Sequence, residues 1–233
     1  MDGHSLTFDE AAAIADALGQ ALTFAHSNGV LHLDIKPANV LIDHSGNVKL
    51  TDFGMARLSS AGGFGGSRGG TIGYMPPEQL DIRDCTVDER ADVFALACVI
   101  YEGLCGSAPF MAATPGDSLG RIIGGATYPS ELIPHFPPGA EAALMSALSP
   151  MPQDRPSSIE AFCDQLLAGL GSVREGRRSL EQMVGELRTT SARQTASSHR
   201  PMRTTPSRST PHSAGPARAG ATRAITRCAP SRR

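Results

Sequence analysis

A short polar stretch from His32 to Asn39 concentrates the residue types that phosphate chemistry needs. It places a carboxylate at Asp34, an ammonium at Lys36 and the Asn39 amide within six positions of one loop. A second carboxylate, Asp52, follows thirteen residues after Asn39. A carboxylate can take or orient a hydroxyl proton, a lysine can neutralise a phosphoryl group, and two oxygen ligands can hold Mg²⁺. The spacing therefore indicates phosphoryl transfer, which depends on positioning such groups together.

The segments around this stretch predict the elements that hold it in place. A capping box at Thr7–Glu10 begins a helix whose apolar residues recur with helical spacing until Asn28–Gly29. Short aliphatic runs at 30–31 and 40–42 predict strands, and 48–50 predicts a return strand after a polar turn. The order is therefore helix, polar loop and small β-hairpin.

The rest of the chain predicts helices. A capping box at Thr86–Glu89 begins a helix over about 88–104, which is apolar on all sides and should be buried. Another helix is predicted over about 140–148, and a cap at Ser157–Glu160 begins the next. Beyond residue 171 the pattern weakens, and 179–187 predicts one marginal helix.

Four motifs follow one another in a fixed order along the chain. They are His32-Leu33-Asp34-Ile35-Lys36-Pro37-Ala38-Asn39, Asp52-Phe53-Gly54, Gly70-Thr71-Ile72-Gly73-Tyr74-Met75-Pro76-Pro77-Glu78 and Pro152-Gln153-Asp154-Arg155-Pro156-Ser157. Together they resemble the C-terminal lobe of a protein kinase, most closely the bacterial, eukaryotic-type Ser/Thr kinases. The resemblance implies a mainly α-helical C-lobe of an α+β family fold over residues 1–170, with a small β-hairpin at the catalytic loop.

The resemblance also implies catalytic roles. Asp34 would accept or orient the proton of the substrate hydroxyl, Lys36 would neutralise the γ-phosphate of ATP, and Thr71 would bridge these two residues. Asn39 and Asp52 would hold Mg²⁺ between phosphate oxygens. The lysine two positions after Asp34, together with Thr71, implies a protein substrate with Ser or Thr.

Further residues are implied as supports of this site. Leu41 would form the floor beneath adenine, and the structural set is His32, Phe53, Gly54, Glu78, Asp92 and Arg155. Glu78 and Arg155 would form a buried ion pair, and Asp92 would accept hydrogen bonds from catalytic-loop amides. His32 and Phe53 would be core supports.

Two departures from the family pattern limit this interpretation. Leu33 replaces an arginine that normally pairs with a phosphate on the activation loop, so phosphorylation of Ser59, Ser60 or Ser67 has no obvious receptor. No Gly-rich loop, strand lysine or partner glutamate precedes His32. We therefore expect a truncated kinase that is weak or inactive by itself.

Three explanations for the missing N-lobe stay open. The chain is a fragment of a kinase whose N-lobe was lost or lies in another reading frame, a stand-alone interaction module of pseudokinase or scaffold type, or a C-lobe completed in trans by an N-lobe or partner. The Arg-, Ala-, Pro-, Ser- and Thr-rich C-terminal segment favours the first, since shifted reading of GC-rich DNA would yield it.

The net charge of −2 conceals two regions of opposite sign. Residues 1–186 contain 11 basic and 23 acidic residues, whereas 187–233 contain ten arginines and no acid. We predict a linker or marginal helix over 171–186 and a disordered basic tail over 187–233. The tail lacks aromatic residues that could stack on bases, so nucleic-acid binding is not the favoured interpretation.

Cysteine usage and hydropathy predict a cytoplasmic location. The five cysteines have an odd count and no metal-ligand spacing, which favours a reducing compartment over a disulfide framework. No apolar run reaches the length of a membrane span, and no signal-peptide pattern begins the chain.

Overall fold

The computed structural model of the chain describes residues 5–53, 57–58, 72–80 and 86–198. Its elements in chain order are α1 (Phe8–Ser27), β1 (Val30–Leu31), β2 (Val40–Ile42), β3 (Val48–Leu50), β4 (Arg57–Leu58), α2 (Arg90–Cys105), α3 (Pro115–Gly124), α4 (Pro129–Leu132), α5 (Pro138–Ala147), α6 (Ile159–Leu170) and α7 (Val173–Ser198). The predicted class, mainly α-helical with a small hairpin beside the polar loop, is confirmed. Across the described ranges, no helix is both long and apolar enough to cross a membrane.

Helix α1 begins and ends where its sequence signals predict. The Glu10 amide donates to the Thr7 hydroxyl at 3.2 Å, and the Thr7 amide donates to the Glu10 carboxylate at 2.8 Å. This reciprocal pair satisfies two amides that the first helical turn leaves free. At the other end Gly29 adopts φ +72, a left-handed conformation that glycine enters without steric cost.

Helix α2 lies at the centre of the core. Its residues from Ala91 to Tyr101 are all buried, and the stacked rings of Phe94 and Phe110 have centroids 5.4 Å apart. Helices α1, α5 and α6 pack around it. The prediction that this helix is buried on all sides is therefore correct, because no face of it is left to water.

Two predicted helix starts are wrong. The box at Thr86–Glu89 does not form, since α2 begins at Arg90 and Glu89 makes no side-chain capping bond. The Glu89 carboxylate instead lies 3.5 Å from the His26 ring. It therefore contacts a residue distant in sequence and does not cap its own helix. Helix α6 is capped by Ser158, whose hydroxyl accepts from the Ala161 amide at 3.1 Å, and not by Ser157.

Two antiparallel strand pairs flank the polar loop. Strands β2 and β3 pair in the predicted hairpin, with Leu41 opposite Lys49. The inward side chains Val40 and Ile42 pack on the core, while Leu41 points outward. Strand β1 pairs with β4, for which the sequence predicts no strand. Two residues are too few to reveal a strand before its partner is known.

The C-terminal helix is the largest departure from prediction. Helix α7 covers 26 residues and continues to Ser198, so 187–198 are helical instead of disordered. Its first turns are fixed by contacts with distant residues: the Ser179 hydroxyl donates to Glu10 at 2.6 Å, Arg177 donates to Asn47 at 2.8 Å, and Leu180 is fully buried. Once such contacts nucleate a helix, each further residue adds one backbone hydrogen bond, so the helix can continue beyond residue 186. Residues 199–233 lie outside the described part.

Candidate active site

The catalytic-loop side chains of Asp34, Lys36 and Asn39 converge on one another. The Lys36 ammonium donates to both carboxylate oxygens of Asp34, at 2.8 and 3.1 Å. The Asn39 amide nitrogen donates to the Asp34 carbonyl at 2.9 Å and to its carboxylate at 3.2 Å. The Asp34 and Lys36 side chains keep 13% and 21% of their surface exposed, so the loop is ordered but open to a substrate.

The hairpin brings Asp52 to this loop. The carbonyl of Asn39 accepts from the Thr51 amide at 2.9 Å and from the Thr51 hydroxyl at 3.1 Å. Asp52 follows directly, with φ +61 and an exposed side chain. A left-handed conformation is uncommon for residues other than glycine, and such residues cluster at functional sites. The pairing of β2 with β3 therefore places Asn39, just before β2, beside Thr51, which precedes Asp52.

The donor set suits magnesium. Both side-chain hydrogen bonds of Asn39 use its nitrogen, and no described donor bonds its Oδ1. Oδ1 and the exposed Asp52 carboxylate are hard oxygen ligands, which Mg²⁺ prefers and commonly shares with water and phosphate. In the described ranges, no group of three or more His, Cys, Asp or Glu could hold a metal by itself. Water or phosphate oxygens would complete the coordination of an ion held by Asn39 and Asp52.

Asp92 anchors the catalytic loop from behind. This fully buried carboxylate accepts from the amides of His32 and Leu33, both at 2.8 Å. Leu33 adopts φ +63, and its carbonyl accepts from Gln79 at 2.6 Å. The contacts on both sides of Leu33 hold a conformation that an unconstrained leucine would avoid. Asp92 therefore acts on the loop's backbone and not on a substrate.

Leu33 lies where the family pattern has an arginine, and its surroundings are apolar. Its side chain packs with Leu31, Ala91 and Val87 in a small cluster separate from the main core. A guanidinium at this position would lie against aliphatic groups. The Leu33 side chain therefore offers no charge to a phosphorylated loop.

Sequence reasoning missed His26. Its Nε2 lies 2.8 Å from Asp92, and its buried Nδ1 has no hydrogen-bond partner, although the Glu89 carboxylate lies 3.5 Å away. His26 thus completes the contacts of the carboxylate that holds the catalytic loop. His26 lies in the last turn of α1, where a histidine is also favourable for the helix dipole. The sequence alone does not distinguish that role from a contact with Asp92.

Glu78 and Arg155 form a buried bidentate pair. Their atoms are 2.6 and 3.0 Å apart, and the guanidinium also donates to the carbonyls of Ser149 at 2.7 Å and Arg90 at 3.0 Å. The Phe94 ring lies beneath it, 4.8 Å from the guanidinium carbon to the ring centroid. These contacts tie the 3₁₀ turn at Pro77–Leu80 to the start of α2 and the approach to α6.

Leu41, the residue predicted to lie beneath adenine, and Phe53 are both exposed to solvent. Leu41 is 53% exposed, and Phe53 is 41% exposed, although its ring lies 4.4 Å from that of His32 between centroids. His32 is fully buried, and its ring contacts the Thr51 carbonyl at 3.1 Å. Among the described residues Phe53 thus contacts His32 and keeps 41% of its surface exposed, and its role as a core support stays a prediction.

The turn of the hairpin is fixed by Asp43. Its carboxylate accepts from the amides of Ser45 at 2.9 Å and Asn47 at 3.0 Å, and Lys49 lies at 3.3 Å. These contacts, the Ser45 amide first, hold the pKa of Asp43 well below its ordinary value of 3.8. The turn therefore sets the β2–β3 register, and with it the approach of Asp52 to Asn39.

Two of the site residues predicted from sequence, Thr71 and Gly54, lie outside the described residues. So do Ser59, Ser60 and Ser67. The bridging role of Thr71 stays a prediction.

Comparison with known proteins places these motifs in a wider context. Residues 2–179 match the family described as protein kinase domain. Serine/threonine-protein kinase PknB of Mycolicibacterium smegmatis is 37% identical over 169 residues, covering 70% of this chain and 26% of that protein. PknD of Mycobacterium tuberculosis is 39% identical over 158 residues, or 64% of this chain and 23% of the relative. PknH of Mycobacterium bovis is 35% identical over 156 residues, or 66% and 26%. The chain thus spans about a quarter of the length of these relatives.

Proposed function

Because the chain belongs to the protein kinase domain family, we propose that it supplies the acceptor- and magnesium-binding half of a Ser/Thr protein kinase site. The reaction is transfer of the ATP γ-phosphate to a protein hydroxyl. The observation that carries the proposal is the convergence of Asp34, Lys36 and Asn39, with Lys36 on both Asp34 oxygens at 2.8 and 3.1 Å. Phosphoryl transfer depends on such positioning and charge more than on covalent chemistry.

The roles follow from the contacts. Asp34 is held by Lys36 and Asn39 with part of its carboxylate exposed, so it can accept a hydrogen bond from a substrate hydroxyl and align it. Lys36 carries three donors, so it can keep its Asp34 contact and also meet a phosphate oxygen. Arrival of the phosphate would draw the ammonium toward it and release lone pairs of Asp34 for the hydroxyl.

Asn39 Oδ1 and the Asp52 carboxylate are the proposed magnesium ligands. When bound, the ion neutralises phosphate charge that builds up during transfer. Asn39 binds with one end of its amide and holds the Asp34 carbonyl with the other at 2.9 Å. The same side chain would thereby link the proposed magnesium ligands to the loop that carries Asp34.

Specificity for Ser or Thr rests on two arguments. Lys36 occupies the position two residues after Asp34 that is typical of Ser/Thr kinases, and the relatives PknB, PknD and PknH carry that activity in their names. Thr71 would support the same assignment through a bridge between Asp34 and Lys36.

A catalytically silent interaction module is the second candidate. It is favoured by the exposure of Leu41, because a floor residue by itself would leave a bound adenine covered on one face only. The apolar setting of Leu33 favours it as well, since activation through a phosphorylated loop needs a cation there. An N-lobe or other partner in trans would reconcile both candidates.

Phosphate transfer can be measured with radiolabelled ATP and Mg²⁺, following incorporation into the chain and into an added Ser/Thr-rich protein such as casein. We expect Asp34→Asn to lower incorporation by about 10²-fold or more. Asp154→Asn is the matched control, because Asp154 has an exposed carboxylate outside the site. Incorporation that is equal in wild type and Asp34→Asn would remove the catalytic assignment.

Nucleotide binding separates the two candidates. A ligand present at about 100 times its dissociation constant stabilises the folded state by about 2.7 kcal/mol, which a thermal shift detects. We expect millimolar ATP to raise Tm only when Mg²⁺ is present, and Asp52→Asn to abolish the shift. An unchanged Tm in wild type would favour the silent module.

A further inference from the structure

A groove lies between helices α1 and α6, lined by residues that take no part in the catalytic loop. Its volume is about 390 Å³. The apolar lining includes Phe24, Cys163 and Leu167. Phe24 is 74% exposed, the largest exposed fraction among the large hydrophobic side chains of the described part. Phe24 lies in the last turn of α1 and lines the groove together with Leu167, so the two side chains offer an apolar surface that a partner can cover.

The rim of the groove is acidic. Asp16, Glu160 and Asp164 line it, and none of its lining residues is basic. Asp16 accepts from Gln20 at 2.9 Å, but among the described residues no Lys or Arg pairs with any of the three carboxylates. Elsewhere on the surface, acids such as Glu175 and Asp43 have cationic neighbours. The groove therefore has an unbalanced negative charge.

The Cys163 thiol lines the same groove and lies near two of its acidic residues. Burial and then the carboxylates Asp16 and Asp164 raise its pKa to about 12. The thiol donates to the Ala15 carbonyl at 3.6 Å and is therefore a packed part of the groove floor. A cation entering the groove would meet the rim carboxylates.

A guanidinium fits this combination of surfaces. Arginine stacks its flat face on an aromatic ring and pairs its edge with carboxylates, whereas lysine offers only a point charge. Phe24 provides the ring, and Asp16 and Asp164 provide the carboxylates. The groove is therefore suited to an arginine-bearing peptide segment with small or apolar residues between the charges.

The chain carries such a segment itself. We propose that the groove between α1 and α6 binds the arginine-rich segment 199–233 of the same chain. That segment contains eight arginines and no acid, and small residues separate most of them. It follows Ser198 at the end of α7, whose first turns lie against α1.

The length of the segment permits this contact. Thirty-five residues can extend over about 120 Å at most, whereas a folded body of about 190 residues has a radius of gyration of about 16 Å. Covalent attachment gives the segment a high effective concentration at the groove, so modest individual contacts can suffice. The segment has no Phe, Tyr or Trp to stack on bases, which favours the acidic groove over nucleic acid.

Photo-crosslinking of the full-length chain tests the proposal. Phe24→p-benzoylphenylalanine places the reactive group in the groove, and Tyr128→p-benzoylphenylalanine is the control at another exposed aromatic position. After irradiation, mass spectrometry identifies the joined peptides. We expect position 24 to crosslink to 199–233 within one chain, and position 128 to give several-fold less of this product.

Charge removal sharpens the test. In the position-24 variant, D16N/E160Q/D164N should lower the yield several-fold, and so should 1 M salt, at which the Debye length is only about 3 Å. The matched control E131Q/D154N/E181Q changes three exposed acids outside the groove and should leave the yield unchanged. Products between two chains, products confined to residues 5–198, or a yield indifferent to groove charge would each overturn the proposal.

Discussion

Four carboxylates in and around the candidate site form two pairs with opposite surroundings. Asp92 and Glu78 are almost completely buried, and their oxygens are occupied by backbone amides or by a guanidinium. Asp34 lies on the polar loop and Asp52 just after the hairpin, where the Asp34 side chain is 13% exposed and Asp52 is exposed. Only the second pair keeps lone pairs accessible to a ligand.

The contrast separates stability from chemistry. A buried charge that loses its partner costs several kcal/mol, so the buried pair should govern folding. An open carboxylate contributes little to stability because water replaces its partner. The catalytic loop can therefore be preorganised from behind by Asp92 while its front remains available for substrate.

The largest expected effect is on the buried pair. Arg155→Met should lower the free energy of unfolding by about 3–5 kcal/mol, because Glu78 is left charged and unpaired in the core. Urea denaturation measures this change, and Arg174→Met, at an exposed position, should shift it by less than about 0.5 kcal/mol. The double variant Glu78→Leu/Arg155→Met should recover part of the loss. A single-variant cost below about 1 kcal/mol would contradict the assignment.

Asp92 should come next. Asp92→Asn turns one acceptor into a donor that faces the amides of His32 and Leu33, and hydrogen bonds to charged groups contribute about 1.5–3 kcal/mol each. We expect a loss of about 2–3 kcal/mol, together with faster hydrogen exchange at those two amides. Asp154→Asn serves as the control. Unchanged exchange at both amides would show that Asp92 does not hold the loop.

The open site should respond far less in stability. Asp34→Asn and Lys36→Met each remove an ion pair that keeps some contact with water, so the free energy of unfolding should fall by less than in Arg155→Met, whose pair is fully buried. The same variants should lose phosphate transfer. If Asp34→Asn unfolded the chain as Arg155→Met is expected to, the division between the two groups of carboxylates would be wrong.

The smallest effect concerns pH and the hairpin turn. Because the folded pKa of Asp43 lies below its ordinary 3.8, its stabilising contribution is complete above about pH 4 and is lost as pH falls through the folded value. NMR titration should show the Asp43 carboxyl titrating well below that of a free aspartate. In Asp43→Asn, the acid loss of stability should be shallower than in wild type. A normal titration would mean that the turn contacts do not persist in solution.

Predictions from local sequence pattern were correct where a residue contacts its near neighbours in the chain and failed where it contacts residues far from it in the chain. Thr7 and Glu10 cap α1 as predicted because their partners lie three residues away. The identical pattern at Thr86–Glu89 fails because Glu89 turns to His26, which is 63 positions earlier in the chain. Leu33 shows the same limit, since its backbone conformation depends on Asp92.

The amino-acid sequence alone determined the motif order, the class of fold and the residue types of the catalytic loop, since these depend on local pattern and side-chain chemistry. Tertiary structure alone decided how far α7 extends, that His26 completes the Asp92 contacts, and that Phe53 is 41% exposed. The physical reason is that capping, turns and periodicity act within a few residues. Burial and long-range hydrogen bonds instead depend on which distant elements meet.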